Sequence, residues 1–400
     1  MRDLVARGPR PLALASAGIG VVGVSFGMAR YGLGLLAPDI RATFHLSSAS
    51  LGLLAAASYI AYVLTSITAG ALSTRVGPRG VVAAGGLCAV LGMTVAGIAE
   101  TPRSLFVGLL VAGASAGLVF PPFSDVVSTL APEGRARVLA TISSGTGWGV
   151  AVAAPVALLA GADWRGAWEL FALIAAIATA WALTVLPARP DSAGPADVVR
   201  LRLRWFYCPR SSPLLAGALL VGLASSPYWT FGVDHLVNQG GLSSGQSRAF
   251  LAIVGVASIG GSIGGDAVRR FGARTTFTLA ALAEAASLLL LGGAPGSLTA
   301  VVTSALLFGA AYNTVLAVEA IWSAKVFAAR PSAGLAAVMV MNALGLLTGA
   351  PILGALADHT GFPAVFAIAG ALLIAAVALA PRERLGEPSG QTAQERPGDL

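Results

Sequence analysis

One arginine, Arg30, interrupts a long apolar run in the stretch SFGMARYGLGLLAPDIRATFHLSSAS, from Ser25 to Ser50. A charge at membrane depth is expensive, so it faces a cavity, a partner or a ligand. At about 1.5 Å per helical residue, Arg30 lies roughly 25 Å from the start of its run, somewhat past the midplane. Arginine presents a planar donor fork suited to carboxylate or phosphate. Two readings follow. Arg30 anchors an anionic substrate group or moves as a charge partner, or else it is a permanent structural pair or a cap on backbone carbonyls.

Other groups at similar depth have chemical potential. Glu284 sits inside the apolar run ALAEAAS, where a buried carboxyl is readily protonated. It reads as a proton carrier or as a hydrogen-bonded structural acid. Tyr31, Tyr59, Trp148, Trp229 and Tyr312 supply rings, and Asn313 and Asn342 supply amides. Together with Arg30 they are the candidate substrate-binding set. An amide in lipid needs a partner, which singles out the two asparagines. Pro121-Pro122 and Pro227 are expected to kink their helices. His45, His235 and His359 all fall in expected outer loops and read as solvated.

Several chemistries find no support. Gly18-Ile19-Gly20-Val21-Val22-Gly23 has dinucleotide-loop spacing but lies within a membrane run with no strand before it. Gly113/Gly117, Gly145/Gly149 and Gly260/Gly264 read as helix contacts. There is no Walker loop, metal-ligand cluster or nucleophile elbow, so an enzyme, a metal site and a cofactor are not expected. The basic residues lie in short loops and speak for topology, not for nucleic acid. Cys88, in an apolar run, and Cys208, in a loop, are not expected to form a disulfide.

The elements that must position these groups are set by composition. Of 400 residues, 56% are hydrophobic and 11% charged, with mean hydropathy +0.81. Soluble proteins carry about 25% charged residues, so this is an integral membrane protein. Fifty glycines suit close helix packing in lipid. Apolar runs of bilayer length occur near 12–37, 51–73, 81–98, 104–126, 138–161, 167–186, 214–236, 248–268, 275–293, 298–323, 333–356 and 364–380. The first lacks a cleavage site and reads as a span rather than a signal peptide. With the N-terminus inside, twenty of the twenty-five Lys and Arg face the cytoplasm and Arg41, Arg103, Arg165 and Arg248 face out. That asymmetry predicts both termini in the cytoplasm.

The expected organisation is a six-helix bundle over 1–186, a cytoplasmic linker over 187–213, a second bundle over 214–381 and a disordered tail over 382–400. The linker stretch RLRLRWFYCPR (200–210) is basic and aromatic, as for a segment resting on anionic headgroups. The halves repeat at an offset near 195 residues. Leu46-Ser47-Ser48 returns as Leu242-Ser243-Ser244, Arg75-Val76-Gly77-Pro78-Arg79 as Arg270-Phe271-Gly272-Ala273-Arg274, and Pro155 as Pro351. Asp125 and Glu319 also occupy nearly equivalent places, at the ends of spans four and ten. Such repeats build many secondary transporters, with substrate held between the halves.

Over essentially its whole length the chain resembles the major facilitator superfamily. Gly70, Leu72, Arg75, Gly77 and Arg79 match that family's loop signature G-x-L-x-D-R-x-G-R-R, with Thr74 at the acidic place and Arg269 there in the second copy. The end of the first span, ARYGLGLLAPDI, looks like that of poorly characterised bacterial branches. The resemblance implies an all-α membrane protein with twelve transmembrane helices as two pseudo-symmetric six-helix bundles. It implies gating by Asp125 with Arg75 and Arg79, and by Glu319 with Arg270 and Arg274, latching the inner gate. It also puts Glu284 on a peripheral helix, where a structural acid is the alternative to a proton carrier.

The expected function is secondary active transport of a small organic solute, anionic on the evidence of Arg30, by alternating access and coupled to protons. The alternatives are export of amphiphilic drug-like compounds, or a non-transporting receptor or scaffold. The expected setting is a monomer in the bacterial inner membrane, with the solute, protons and lipid as its partners.

Overall fold

The computed structural model describes residues 11–130, 135–187, 211–260, 264–328 and 331–382, and every regular element among them is helical. The expected linker and tail therefore fall almost wholly outside the described residues. The first span is compound: α1 (Pro11–Val22), a π-helical turn (Gly23–Met28) and α2 (Ala29–Leu35). At Leu36 (φ −102°, ψ 6°) the chain turns into the short α3 (Ala37–Phe44), which has Pro38 in its first turn. The helix α4 (Ser48–Gly97) carries the second and third spans. Then come α5 (Pro102–Leu130), α6 (Arg135–Ser143), α7 (Gly145–Ala160) and α8 (Trp164–Val185). The second half runs α9 (Ser212–Asn238), α10 (Ser244–Gly260), α11 (Gly264–Phe271) and α12 (Ala273–Gly293). It ends with α13 (Leu298–Val326), α14 (Pro331–Thr360) and α15 (Phe362–Ala376).

Among the described residues eleven helices are long and apolar enough to cross a membrane, and α10 with α11, inclined at 50°, makes the twelfth if taken together. Large apolar side chains remain exposed around the bundle, among them Leu64, Leu91, Leu159 and Ile177. In water such a surface would aggregate; in a bilayer it is the lipid contact. We call the end holding Pro11 and Arg382 proximal and the opposite end distal.

The repeat is visible in the backbone. Within α4 the second and third spans part at Gly77 (φ 76°, ψ 163°), and the equivalent turn before α12 is Gly272 (φ 82°, ψ 157°). Both conformations lie in the left-handed region that a residue with a Cβ avoids, so glycine recurs there.

The halves meet where α4 packs on α14, α7 on α10, and α2 and α3 on α9. These contacts are backbone-close. A Cβ on Gly52 would stand 2.3 Å from the Ala350 carbonyl oxygen, and one on Gly34 would stand 1.9 Å from that of Trp229. Within the first half, a Cβ on Gly149 would lie 2.0 Å from the Gly23 carbonyl oxygen, and one on Gly27 would lie 2.6 Å from Gly149. The π turn that aims Arg30 is thus seated on the glycines of α7. Gly149→Ala should unseat it, lowering the unfolding midpoint in detergent by the equivalent of about 1–3 kcal/mol, the usual cost of overpacking. An unchanged midpoint would show that the seat tolerates a methyl group.

Candidate functional site

The π turn inserts an extra residue into the first span immediately before Arg30, re-aiming that side chain. Arg30 lies among four rings, its guanidinium carbon 4.6 Å from the centre of Tyr59, 4.8 Å from Tyr62, 5.5 Å from Tyr31 and 5.7 Å from Phe26. Ring faces are negative, so each attracts the cation by about 0.5–2 kcal/mol. Among the described residues no carboxylate pairs with Arg30, and its buried Nε has no acceptor. A permanent ion pair, one of the alternatives for this arginine, finds no partner there.

Tyr31 continues the site into the second half. Its ring stacks on Trp229 of α9 at 4.0 Å and 22°. Trp229 meets Phe308 and Tyr312 of α13 edge-on, at 5.3 and 5.7 Å. The Tyr312 hydroxyl donates to Asn342 Oδ1 of α14 at 3.3 Å. The Trp229 indole N–H and the Asn342 amide nitrogen are buried without acceptors. Three unfilled donors, Arg30 Nε, Trp229 Nε1 and Asn342 Nδ2, lie around this cluster, whereas the acceptor Asn342 Oδ1 is occupied. A buried unpaired donor is costly, so the constellation calls for an acceptor-rich, negatively charged ligand.

Trp229 owes its place to Pro227. That proline leaves the Leu223 carbonyl without its helical donor, and the Ser226 hydroxyl fills the gap at 2.8 Å. Two expected members stand elsewhere. Trp148 is 48% exposed and makes none of the ring contacts around Arg30. The Asn313 amide donates to the Ser258 carbonyl of α10 at 2.9 Å. Phe26, Tyr62 and Phe308 belong to the cluster although nothing in the sequence marks them, because a ring in an apolar helix carries no signal of its own.

Glu284 is fully buried on α12; Ser225 of α9 donates to its Oε1 at 2.5 Å, and its Oε2 has no partner. Of the residues expected to latch the proximal end, Glu319 makes no ion pair with Arg270 or Arg274. Arg75, Arg79, Arg270 and Arg274 are exposed, and Arg270 lies over its neighbour Phe271. Glu319 is fully buried, with neither oxygen hydrogen-bonded. The side chain of Asp125 lies outside the described residues.

At the distal end the halves are joined by charge. Arg41 of α3 donates to Asp234 of α9 at 2.5 Å, and Asn238 donates to the other oxygen of that buried carboxylate at 2.8 Å. Arg248 of α10, 3% exposed, donates to Asp39 of α3 at 2.7 Å and to the Ala157 carbonyl at 2.9 Å. Asp358 of α14 accepts from the Ser48 and Ala49 amides at 2.8 and 2.9 Å, capping the start of α4 from the other half. In sequence Arg41 and Arg248 read as loop cations; the structure buries Arg248 in an inter-half pair. The signal available is that Asp39 and Asp234 occupy equivalent places in the repeat. His235 also departs from its expected loop. It is buried on α9 against Phe362 and Phe366, and its Nε2–H donates to the Leu291 carbonyl at 3.1 Å.

The chain matches the Major Facilitator Superfamily over residues 19–270 and 254–398. It is 28% identical over 395 residues to human Monocarboxylate transporter 11, covering 90% of this chain and 80% of that protein. Rat Monocarboxylate transporter 13 is 28% identical over 373 residues, covering 88% of this chain and 83% of that protein. Transcription regulatory protein OpdE of Pseudomonas aeruginosa is 28% identical over 334 residues, covering 76% and 78%. Among solved structures, the nucleoside transporter NupG superposes with a TM-score of 0.77 at 17% identity, covering 92% of this chain and 98% of that one. A helical bundle with 11 or 12 candidate spans among the described residues, and a family match along nearly the whole length, together assign this chain to the Major Facilitator Superfamily of secondary transporters.

Proposed function

We propose that this transporter moves a small organic monocarboxylate by alternating access, with proton coupling, and that Arg30 holds the carboxylate. The observation that carries the reading is an arginine whose buried Nε is a free donor and which has no carboxylate partner among the described residues, flanked by Trp229 and Asn342 donors that are also unfilled. The names of the mammalian relatives, monocarboxylate transporters, point to the same chemistry. Tyr31, Tyr59 and Tyr312 would flank the solute's carbon skeleton, and Trp148 and Asn313 would meet it only after rearrangement. The 1–186 and 214–381 halves are the rocking bodies. The proximal end faces the cytoplasm of a bacterial inner membrane, as the Lys and Arg bias supports, and one chain is the working unit.

Proton coupling rests on Glu284, because a carboxyl buried without a cation is most stable neutral. Asp125 with Arg75 and Arg79, and Glu319 with Arg270 and Arg274, are proposed to engage only when the proximal end closes.

The test is counterflow in proteoliposomes with a panel of aliphatic and aromatic monocarboxylates, their neutral amides and matched amino acids. Exchange of the monocarboxylates alone is expected, because the groups around Arg30 offer donors and, among the described residues, no carboxylate beside it for an ammonium group. The continuous aromatic seam from Tyr31 to Tyr312 favours a second reading, export of amphiphiles. Exchange of neutral amphiphiles without carboxylates would establish that reading instead.

A further inference from the structure

Glu319 is the least explained polar group in the molecule. Its carboxyl is fully buried and neither oxygen has a hydrogen-bond partner. Seven residues separate it from Tyr312, two turns of one helix, so both lie on the same face of α13, about 10 Å apart along the axis. That face meets the aromatic seam at Tyr312, and Glu319 lies to its proximal side. Glu284 reaches a similar level from another element. Its donor Ser225 precedes Trp229 by one turn of α9, again on the proximal side. The helices that carry the two acids, α12 and α13, pack against each other. Two buried acids thus lie at a similar level on neighbouring helices of the second half, proximal to the anion site.

The other ionisable groups on the elements packed around them are committed elsewhere. Arg248, Asp234 and Asp358 are tied up at the distal end, and His235 is bonded to Leu291. His359 is exposed near that same end. At the proximal end Arg269 pairs with Asp266, while Arg270, Arg274 and Lys325 are exposed. The hydroxyl of Tyr228, on α9 with Ser225, is bonded to Ser304 at 2.8 Å. The helix α15 carries no ionisable side chain. Among the described residues nothing neutralises either acid.

We propose that Glu284 and Glu319 form one proton site, loaded and emptied through the proximal end in each cycle, so that a proton travels beside the anion held by Arg30. A proton there offsets the negative charge of the solute and removes the repulsion between the two carboxylates. The inference rests on the proton-coupled reading above and adds to it a second acid and a location.

The test uses the full chain in lipid nanodiscs without any solute. Infrared absorption of the protonated carboxyl C=O is followed from acid to alkaline pH. The wild type is expected to lose this band in two steps, as interacting acids do. Glu319→Gln should leave a single step, Glu284→Gln likewise, and Glu319→Asp should restore two. Asp266→Asn, an exposed acid outside the pair, should leave the buried band unchanged. A two-step loss that persists in Glu319→Gln would overturn the proposal. So would loss of the band at constant pH on exchanging choline for sodium, which would mark a metal-cation site. Because no solute is needed, failure of the monocarboxylate panel leaves this result readable. Conversely, intact two-step titration with solute accumulation indifferent to a pH gradient would keep the acid pair and remove the coupling.

Discussion

Arg30→Gln is expected to weaken monocarboxylate binding strongly while making the solute-free protein harder to unfold. A charge-assisted hydrogen bond contributes about 1.5–3 kcal/mol, so removing the guanidinium should weaken binding by roughly 10- to 100-fold. The empty protein responds in the opposite sense. An arginine at bilayer depth costs about 2.5–3.5 kcal/mol, and here neutral aromatic neighbours offset it, with no carboxylate partner among the described residues. Glutamine removes that charge at similar volume, so the unfolding midpoint in detergent should rise, as it does when a strained functional group is relieved. A structural arginine would behave differently. Its loss would lower the midpoint and leave binding of the remaining protein intact. Midpoints measured with and without the effective monocarboxylates of the panel separate the two cases: a lower midpoint with a preserved ligand shift removes Arg30 from the site.

The second large effect is expected at the distal end. Asp39→Asn removes the negative charge paired with Arg248, which is 3% exposed, and leaves it neutral acceptors alone. Removing one partner of a buried pair is worth about 3–5 kcal/mol, because the remaining charge stays unpaired. Opening the distal end hydrates Arg248, so that energy should appear as a shift toward distal-open molecules of roughly 100-fold or more. Spin labels at His45 and His359, both near that end, should report a longer distance distribution. Gly52→Val tests the same joint by sterics alone, since its first side-chain atom would stand 2.3 Å from the Ala350 carbonyl oxygen. The pair Arg269–Asp266 is the control. Both side chains are largely exposed on one helix, and such pairs are worth about 0–1 kcal/mol. Unchanged distances in both Asp39→Asn and Gly52→Val would mean that the distal contacts do not hold the observed state.

Much of this architecture is written locally. Bilayer length, the repeat near 195 residues and the left-handed glycines Gly77 and Gly272 each follow from nearby residue types. So does the oddity of Arg30, because a cation in a long apolar run is conspicuous whatever surrounds it. Tyr31, Trp229, Tyr312 and Asn342 are legible for the same reason, as polar or ring-bearing groups at matching depth.

What surrounds Arg30 is decided by packing. Helical periodicity tells which side chains share a face, and not which helix that face meets. Tyr62 and Phe26 enter the cage, and Trp148 stays out, only through the way α4 and α7 lie against the first span. A π turn seated on Gly149 has no signature in a single sequence, because the glycines read equally well as any close helix contact. Arg248 shows the limit most sharply. Beside Ser244 and Gln246 it reads as a loop cation, yet burial against Asp39, 209 residues away, makes it a joint between the halves. The identity of each charge is local chemistry; its partner is a property of the assembled bundle.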